Sequence, residues 1–144
     1  MKNKAFPVNF FNEKHPFRLR NKTKIKAWIN NTIQKEGYTL ESINIIFTSD
    51  QHLLEINKEH LNHDYYTDII TFNYNEGKLV SSDLFISIDR VKDNARTIKT
   101  TFTKEIHRVM IHGVLHLIGY NDKSEAEIKE MRSKEDYYLK ELEG

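Results

Sequence analysis

Two histidines and an aspartate near the carboxyl end of the chain are the residues best suited to chemistry. His112 and His116 stand four residues apart, and Asp122 follows the second histidine by six. In an α-helix that runs through His116, the two imidazoles lie one turn apart on the same face. Gly119 can adopt the positive φ that ends a helix, so the next turn can bring Asp122 back toward them. Two imidazoles, one carboxylate and an open fourth position are typical of a catalytic zinc site.

The surrounding residues make this pattern more specific, because two histidines at this spacing occur by chance in many helices. The flanking residues are apolar and predict a buried helix: Val109, Met110, Ile111, Val114, Leu115, Leu117 and Ile118. Buried imidazoles need a partner to offset their desolvation, and a metal ion would supply one. The string HxxxHxxGxxD resembles the extended zincin pattern of metalloproteases, but Gly113 stands where those enzymes carry a glutamate base. A peptidase mechanism therefore lacks its proton acceptor at the usual place.

The wider sequence resembles one family. Residues 112–122 spell HGVLHLIGYND, which is similar to the HGxLHLxGYDH signature of the YbeY family, bacterial metal-dependent endoribonucleases of ribosomal RNA maturation. Residues 67–72 resemble the family's PTDVLSF segment, residues 82–84 resemble its GDI, and Glu105 resembles its glutamate at that spacing. The resemblance runs from about residue 43 to the end of the chain. Two positions differ: the third ligand, usually His, is Asp122, and the family's usual arginine before the PTD segment aligns with Leu61.

The resemblance implies a function and partners that spacing alone does not give. The site itself predicts hydrolysis, because zinc on such ligands lowers the pKa of water and polarises a phosphoryl oxygen. The family implies that the bond lies in single-stranded RNA, in maturation of the 3′ end of small-subunit ribosomal RNA and in ribosome quality control. One Zn²⁺ is expected on His112, His116 and Asp122, and the aspartate makes manganese or nickel a fairer contender. The expected partners are RNA and the small ribosomal subunit, with no DNA.

Two other kinds of function stay open. A metalloprotease-like hydrolase is the first, because the metal string is the one that class uses. A non-catalytic ribosome-assembly factor with a structural metal is the second, and Leu61 in place of arginine favours it. The sequence identifies no general base. Glu105 and Arg108 are candidate catalytic residues, although Glu105 lies two turns before His112, about 10 Å along the helix, which favours a structural or substrate-facing role.

The remaining candidates are better explained without chemistry. Arg108 could contact a phosphate, but its position favours an ordinary solvated helix face. His52, His60 and His63 could suggest a second metal site, yet their scattered spacing and polar surroundings favour solvated surface. Trp28 could stack on a base, but it lies on an apolar helical stripe and is expected in the core.

Composition bounds the class of protein. A chain of 144 residues is expected to form one domain, residues 1–144. Because the formal net charge is only +1, any RNA-binding site is expected to be a local patch on the surface. The absence of cysteine excludes disulfides and thiolate zinc sites. No segment has the apolar length of a signal peptide or a membrane span, which favours a cytoplasmic protein with no membrane partner.

The periodicity of apolar residues predicts an α+β fold, in which a small mixed sheet is covered by helices and the metal helix is central. Asp89 is expected to cap the helix 90–98 and Thr103 to cap the metal helix. Ser124 and Glu127 are expected to form a capping box at the start of the last helix. The polar face of the last helix is expected to be surface. The predicted strands are 8–12, 42–47, 67–74 and 80–88, and the predicted helices are 22–36, 50–60, 90–98, one through His116, and 124–142.

Overall fold

A mixed four-stranded sheet forms one layer of the protein, whose computed structural model describes residues 6–61 and 67–143. The strands are β1 (Val8–Asn12), β2 (Thr39–Thr48), β3 (Ile69–Asn73) and β4 (Leu79–Ser87), in the spatial order β1-β2-β4-β3. β1 and β4 both run parallel to β2, whereas β3 is antiparallel to β4. The predicted hairpin is confirmed, and Gly77 adopts the positive φ of 58° that its turn requires.

Helices cover this sheet and pack on one another. They are α1 (Lys22–Lys35), α2 (Asp50–Leu61), α3 (Ile88–Thr97), α4 (Phe102–Leu117) and α5 (Glu125–Glu143). α1 connects the parallel strands β1 and β2, as such a connection requires a crossover. The α+β class and the mixed sheet are therefore confirmed. Within the described residues, no helix combines the length and apolarity needed to cross a membrane.

α4, the predicted metal helix, is the centre of the packing, with contacts to α1, α3, α5, β3 and β4. Its apolar flanks are buried as predicted, from Val109 to Leu117. Gly113 faces the sheet, where a Cβ atom would lie 2.6 Å from Cδ1 of Ile69 and 3.5 Å from a methyl of Leu84. A glutamate at this position would therefore force the side chain of Ile69 to move, which gives a packing reason for the residue that departs from the protease pattern.

Two predicted helix caps are wrong. α3 begins earlier than predicted, because the extended Ser87 at the end of β4 accepts the hydrogen bond from the Arg90 amide, at 3.0 Å, and Asp89 lies inside the first turn. Ile88, predicted to end the strand, is the first residue of α3. α4 is capped by Thr101, whose hydroxyl accepts from the Lys104 amide at 3.1 Å, so Thr103 also lies within the helix.

α5 is fastened to the opposite end of the chain. The predicted capping box at its start is confirmed by paired hydrogen bonds between Ser124 and Glu127. The indole of Trp28 donates to the carbonyl of Tyr138 at 2.7 Å, and Trp28 is buried in the core as predicted. The carboxylate of Glu36, just after α1, accepts hydrogen bonds from Tyr138 and from Lys134. These bonds hold the last helix against α1, and the helix also packs on α4.

Candidate metal centre

The last turn of α4 places the two imidazoles side by side. The helix ends at Leu117, and Gly119 turns the chain with a φ of 106°. The amide of Tyr120 then donates to the carbonyl of Leu115 at 3.1 Å, which closes the end of the helix. This turn directs the chain back toward the histidines, as the sequence predicts, and brings Asp122 beside them.

Three donor atoms converge at this point. Nε2 of His112 lies 3.1 Å from Nε2 of His116, and Oδ2 of Asp122 lies 3.3 Å and 3.4 Å from these two nitrogens. Ligands on a tetrahedral zinc ion with bonds of about 2.0–2.2 Å would lie about 3.3–3.6 Å apart. The donor set and its spacing therefore fit one divalent ion. It is also the only group of three or more candidate ligand residues among the residues that the structure describes.

Glu135 of α5 is bound to His112 on the side of the imidazole ring that faces away from the other donors. Its Oε2 lies 2.6 Å from Nδ1 of His112, and its Oε1 accepts from Nη1 of Arg108 at 2.7 Å. A proton on Nδ1 of His112 is required for that hydrogen bond, so Nε2 of the neutral ring presents its lone pair to the other donors. Glu135 thus fixes both the tautomer and the orientation of His112.

Glu135 was not identified from the sequence, where the polar face of α5 is predicted to be surface. The residue is in fact only 3% exposed. The available signal was its position on the buried stripe of the helix, between Met131 and Tyr138. A carboxylate on such a stripe needs a charged or hydrogen-bonding partner on a neighbouring element.

The electrostatics of the pair follow from these contacts. Burial alone would lower the pKa of His112, but its hydrogen bond to Glu135 and the nearby carboxylates outweigh burial and raise the pKa. Burial opposes ionisation of Glu135 too, yet its hydrogen bonds to His112 and Arg108 lower its pKa below the ordinary value. Without a metal, a charged His112 and an ionised Glu135 therefore stabilise each other.

The two candidate catalytic residues lie in the cleft next to the donor set. Arg108 is not the solvated side chain that was predicted: its guanidinium is bound to Glu135 and, at 2.8 Å, to Asp136. Glu105 lies outside the group of three donors and is 7% exposed. Burial and then the charge of Asp68 raise the pKa of Glu105. Asp68, which the sequence analysis did not single out as a site residue, lines the same cleft.

The other histidines lie apart from this centre. His52 lies 3.2 Å from a carboxylate oxygen of Glu13, and His60 packs edge-on against Phe72. They do not belong to any group of candidate ligands among the described residues. His63 and the side chain of Leu61 lie outside the described residues.

Comparison with known proteins places this arrangement in a family. The site consists of two imidazoles on one helix and a carboxylate from the turn that follows it, and this helix lies against a mixed sheet. The chain belongs to the family Endoribonuclease YbeY, which it matches over residues 8–143. This agrees with the resemblance stated from the sequence.

Individual relatives cover nearly the whole chain. The Endoribonuclease YbeY of Cytophaga hutchinsonii is 50% identical over 133 residues, which are 92% of this chain and 93% of that protein. The one of Flavobacterium psychrophilum is 48% identical over 130 residues, 90% and 93% of the two chains. The solution structure of TM1509 from Thermotoga maritima matches with a TM-score of 0.66 and 27% identity, covering 94% of this chain and 88% of that one.

Proposed function

We propose that this protein is a metal-dependent endoribonuclease that hydrolyses phosphodiester bonds in single-stranded RNA. The observation that carries the proposal is the convergence of two imidazole nitrogens and one carboxylate oxygen, 3.1–3.4 Å apart, in a member of the endoribonuclease YbeY family. The family resemblance extends the proposal to maturation of the 3′ end of small-subunit ribosomal RNA and to ribosome quality control. In this proposal residues 1–144 act as one domain in the cytoplasm, with the small ribosomal subunit as partner.

His112, His116 and Asp122 would hold one Zn²⁺, with manganese or nickel as the competing ions. A bound ion of this kind lowers the pKa of water and polarises a phosphoryl oxygen, and both effects support hydrolysis of a phosphodiester. Glu135 keeps Nε2 of His112 turned toward the ion, through the hydrogen bond to Nδ1. The exposed side of the donor set, where Asp122 is 40% exposed at its side chain, leaves room for RNA to approach.

The charge of the cleft explains why RNA binding would depend on the metal. Its lining contains the carboxyl groups of Asp68, Glu105, Asp122 and Glu135, against the guanidinium groups of Arg108 and Arg132 and the imidazole of His112. With the four carboxyl groups ionised, the lining stays net negative even when His112 is charged, and such a surface repels a phosphodiester. A divalent cation on the three donors would offset that excess, so we expect RNA affinity to fall when the metal is removed.

The decisive experiment measures metal content and RNA cleavage on the same samples. Purified protein is compared with its His116→Ala and Asp122→Ala variants by elemental analysis, and each sample is incubated with a single-stranded RNA. We expect close to one metal per chain and cleavage in the unchanged protein, and loss of both in the two variants. Unchanged metal content in Asp122→Ala would refute the ligand assignment.

The same experiment separates the other functions. Metal that is lost in the variants without RNA cleavage in any sample would favour the ribosome-assembly factor with a structural metal. Digestion of casein would favour the metalloprotease. The described residues do not favour the protease, because position 113 faces Ile69 and Leu84 and carries no proton acceptor.

A further inference from the structure

The cleft beside the candidate metal centre has apolar features that the metal centre does not use. It has a volume of about 390 Å³ and is lined by residues of α3, α4 and α5, together with Asp68, Ile98 and Asp122 from the segments next to them. Five large hydrophobic residues are exposed among the described residues, and two of them line this cleft: Ile98 is 56% exposed and Ile128 is 48% exposed. Exposed apolar side chains around a pocket with a few polar groups indicate a ligand site.

The inner part of the cleft carries hydrogen-bond acceptors with unused capacity. Glu105 is 7% exposed, and its Oε1 is buried without a hydrogen-bond partner among the described residues. Leaving a buried carboxyl oxygen unpaired is costly, so this group is suited to a ligand that brings a donor. Asp68, which accepts from the Asn94 amide at 3.3 Å, adds a second carboxyl group to the lining. Acceptors of this kind select N–H donors.

The position of Glu105 relative to His112 sets the size of the ligand. The two residues are two turns apart on α4, about 10 Å along the axis. This is close to the length of one nucleotide from its phosphate to the far edge of its base. A phosphate at the metal centre would therefore place an adjoining base within the cleft.

We propose that this cleft is a subsite for one unpaired nucleobase of the RNA, with guanine as the preferred base. The aliphatic side chains of Ile98 and Ile128 would pack against the faces of the base, in the way that apolar side chains hold extruded bases. Guanine presents N1–H and the N2 amine side by side, so it offers the carboxyl groups of Glu105 and Asp68 two donors on one edge. The proposal rests on the proposed function, because RNA supplies the base.

Binding of mononucleotides to the zinc-loaded full chain tests the subsite without cleavage. Calorimetry would compare guanosine 5′-monophosphate, inosine 5′-monophosphate, which lacks only the N2 amine, and ribose 5-phosphate, which lacks the base. We expect the guanosine nucleotide to bind about tenfold more tightly than the inosine nucleotide, since one hydrogen bond to a charged group is at stake. Ribose 5-phosphate should bind more weakly than both.

Variants assign the effect to the cleft. Glu105→Gln should bring the affinities for the guanosine and inosine nucleotides close together, because it removes the charged acceptor while keeping the size of the side chain. The double variant Ile98→Ala with Ile128→Ala should weaken both nucleotides about tenfold and leave ribose 5-phosphate unchanged. Glu130→Gln and Phe11→Ala, at exposed positions outside the cleft lining, are the matched controls. Thermal unfolding checks that each variant is folded.

The outcomes separate this inference from the proposed function. Equal affinity for the three ligands, or guanine selectivity that survives in folded Glu105→Gln, overturns the subsite. If the same preparation cleaves single-stranded RNA, the proposed function stands without the subsite. If guanine selectivity appears as expected but no RNA is cleaved, the subsite is supported and the nuclease proposal fails.

Discussion

Replacement of Glu135 tests whether the metal centre depends on support from a different helix. Its carboxylate is 2.6 Å from Nδ1 of His112, and its side chain is 4% exposed. In Glu135→Ala, Nδ1 loses its acceptor, so the neutral imidazole is no longer confined to the tautomer that presents Nε2 to the ion. Loss of such a hydrogen-bond partner weakens metal binding by about 10- to 100-fold, which is about 1.4–2.7 kcal/mol.

A second variant separates charge from hydrogen bonding. Glu135→Gln keeps an acceptor oxygen that can bind Nδ1–H of His112 but removes the negative charge. We therefore expect its zinc affinity to lie between those of the unchanged protein and Glu135→Ala. Both variants also leave Arg108 with fewer carboxylate partners, so each should lose about 1–3 kcal/mol of unfolding free energy.

The assay is competition for zinc with a chromophoric chelator, supported by the visible spectrum of the cobalt-substituted protein. Asp136→Asn is the matched control, because Asp136 is bound to Nη2 of the same arginine but lies outside the group of candidate ligands. A folded Glu135→Ala protein with zinc affinity within about twofold of the unchanged protein would refute the reasoning, since the support would then contribute nothing measurable. Equal loss in Asp136→Asn would assign the effect to Arg108.

Three further predictions concern packing, capping and pH. Gly113→Glu should lower the free energy of unfolding, measured by urea denaturation, by about 2–3 kcal/mol. Thr103→Glu, on the exposed side of the same helix, should change it by less than about 0.5 kcal/mol. Equal effects would contradict the packing of α4 on the sheet. Thr101→Ala should cost about 1 kcal/mol in the same assay and Thr103→Ala much less, and the reverse order would restore Thr103 as the cap. In metal-free protein, the raised pKa of His112 makes its contribution fully present below the ordinary 6.5 and lost as pH rises through the folded pKa. The lowered pKa of Glu135 makes its contribution present above the ordinary 4.5 and lost as pH falls through the folded pKa. The pair should therefore stabilise the metal-free protein most between the two ordinary pKa values, 4.5 and 6.5. If His112→Ala leaves the pH profile of unfolding unchanged, the pair does not stabilise the protein in this way.

The parts of the site that depend on local geometry were predictable from the sequence. Helical periodicity alone places His112 and His116 on one face, and a glycine three residues later supplies the turn that returns Asp122. The structure places their donor atoms together, as predicted. The sheet and the helices followed from apolar patterning in the same way.

The parts that depend on how elements pack were not predictable. Glu135 is 23 residues from His112 in sequence, and only the packing of α5 on α4 makes them neighbours. Arg108 was misjudged for the same reason, because both of its carboxylate partners belong to α5. The prediction of the helix caps was wrong for a more local reason. Ser87 and Thr101 are the caps, and not Asp89 and Thr103, because their backbone is extended, which residue type alone does not determine.

The attachment of α5 has a consequence for the order in which the protein matures during synthesis. The three donors, all between residues 112 and 122, leave the ribosome before the helix that carries Glu135. The same helix bonds Trp28 across 110 residues of sequence, so its docking is among the most non-local steps of folding. A nascent chain that ends before α5 would thus carry all three donors without the residue that orients His112. Full metal affinity, and with it any nuclease activity, would arise only after the last helix has been made and has docked.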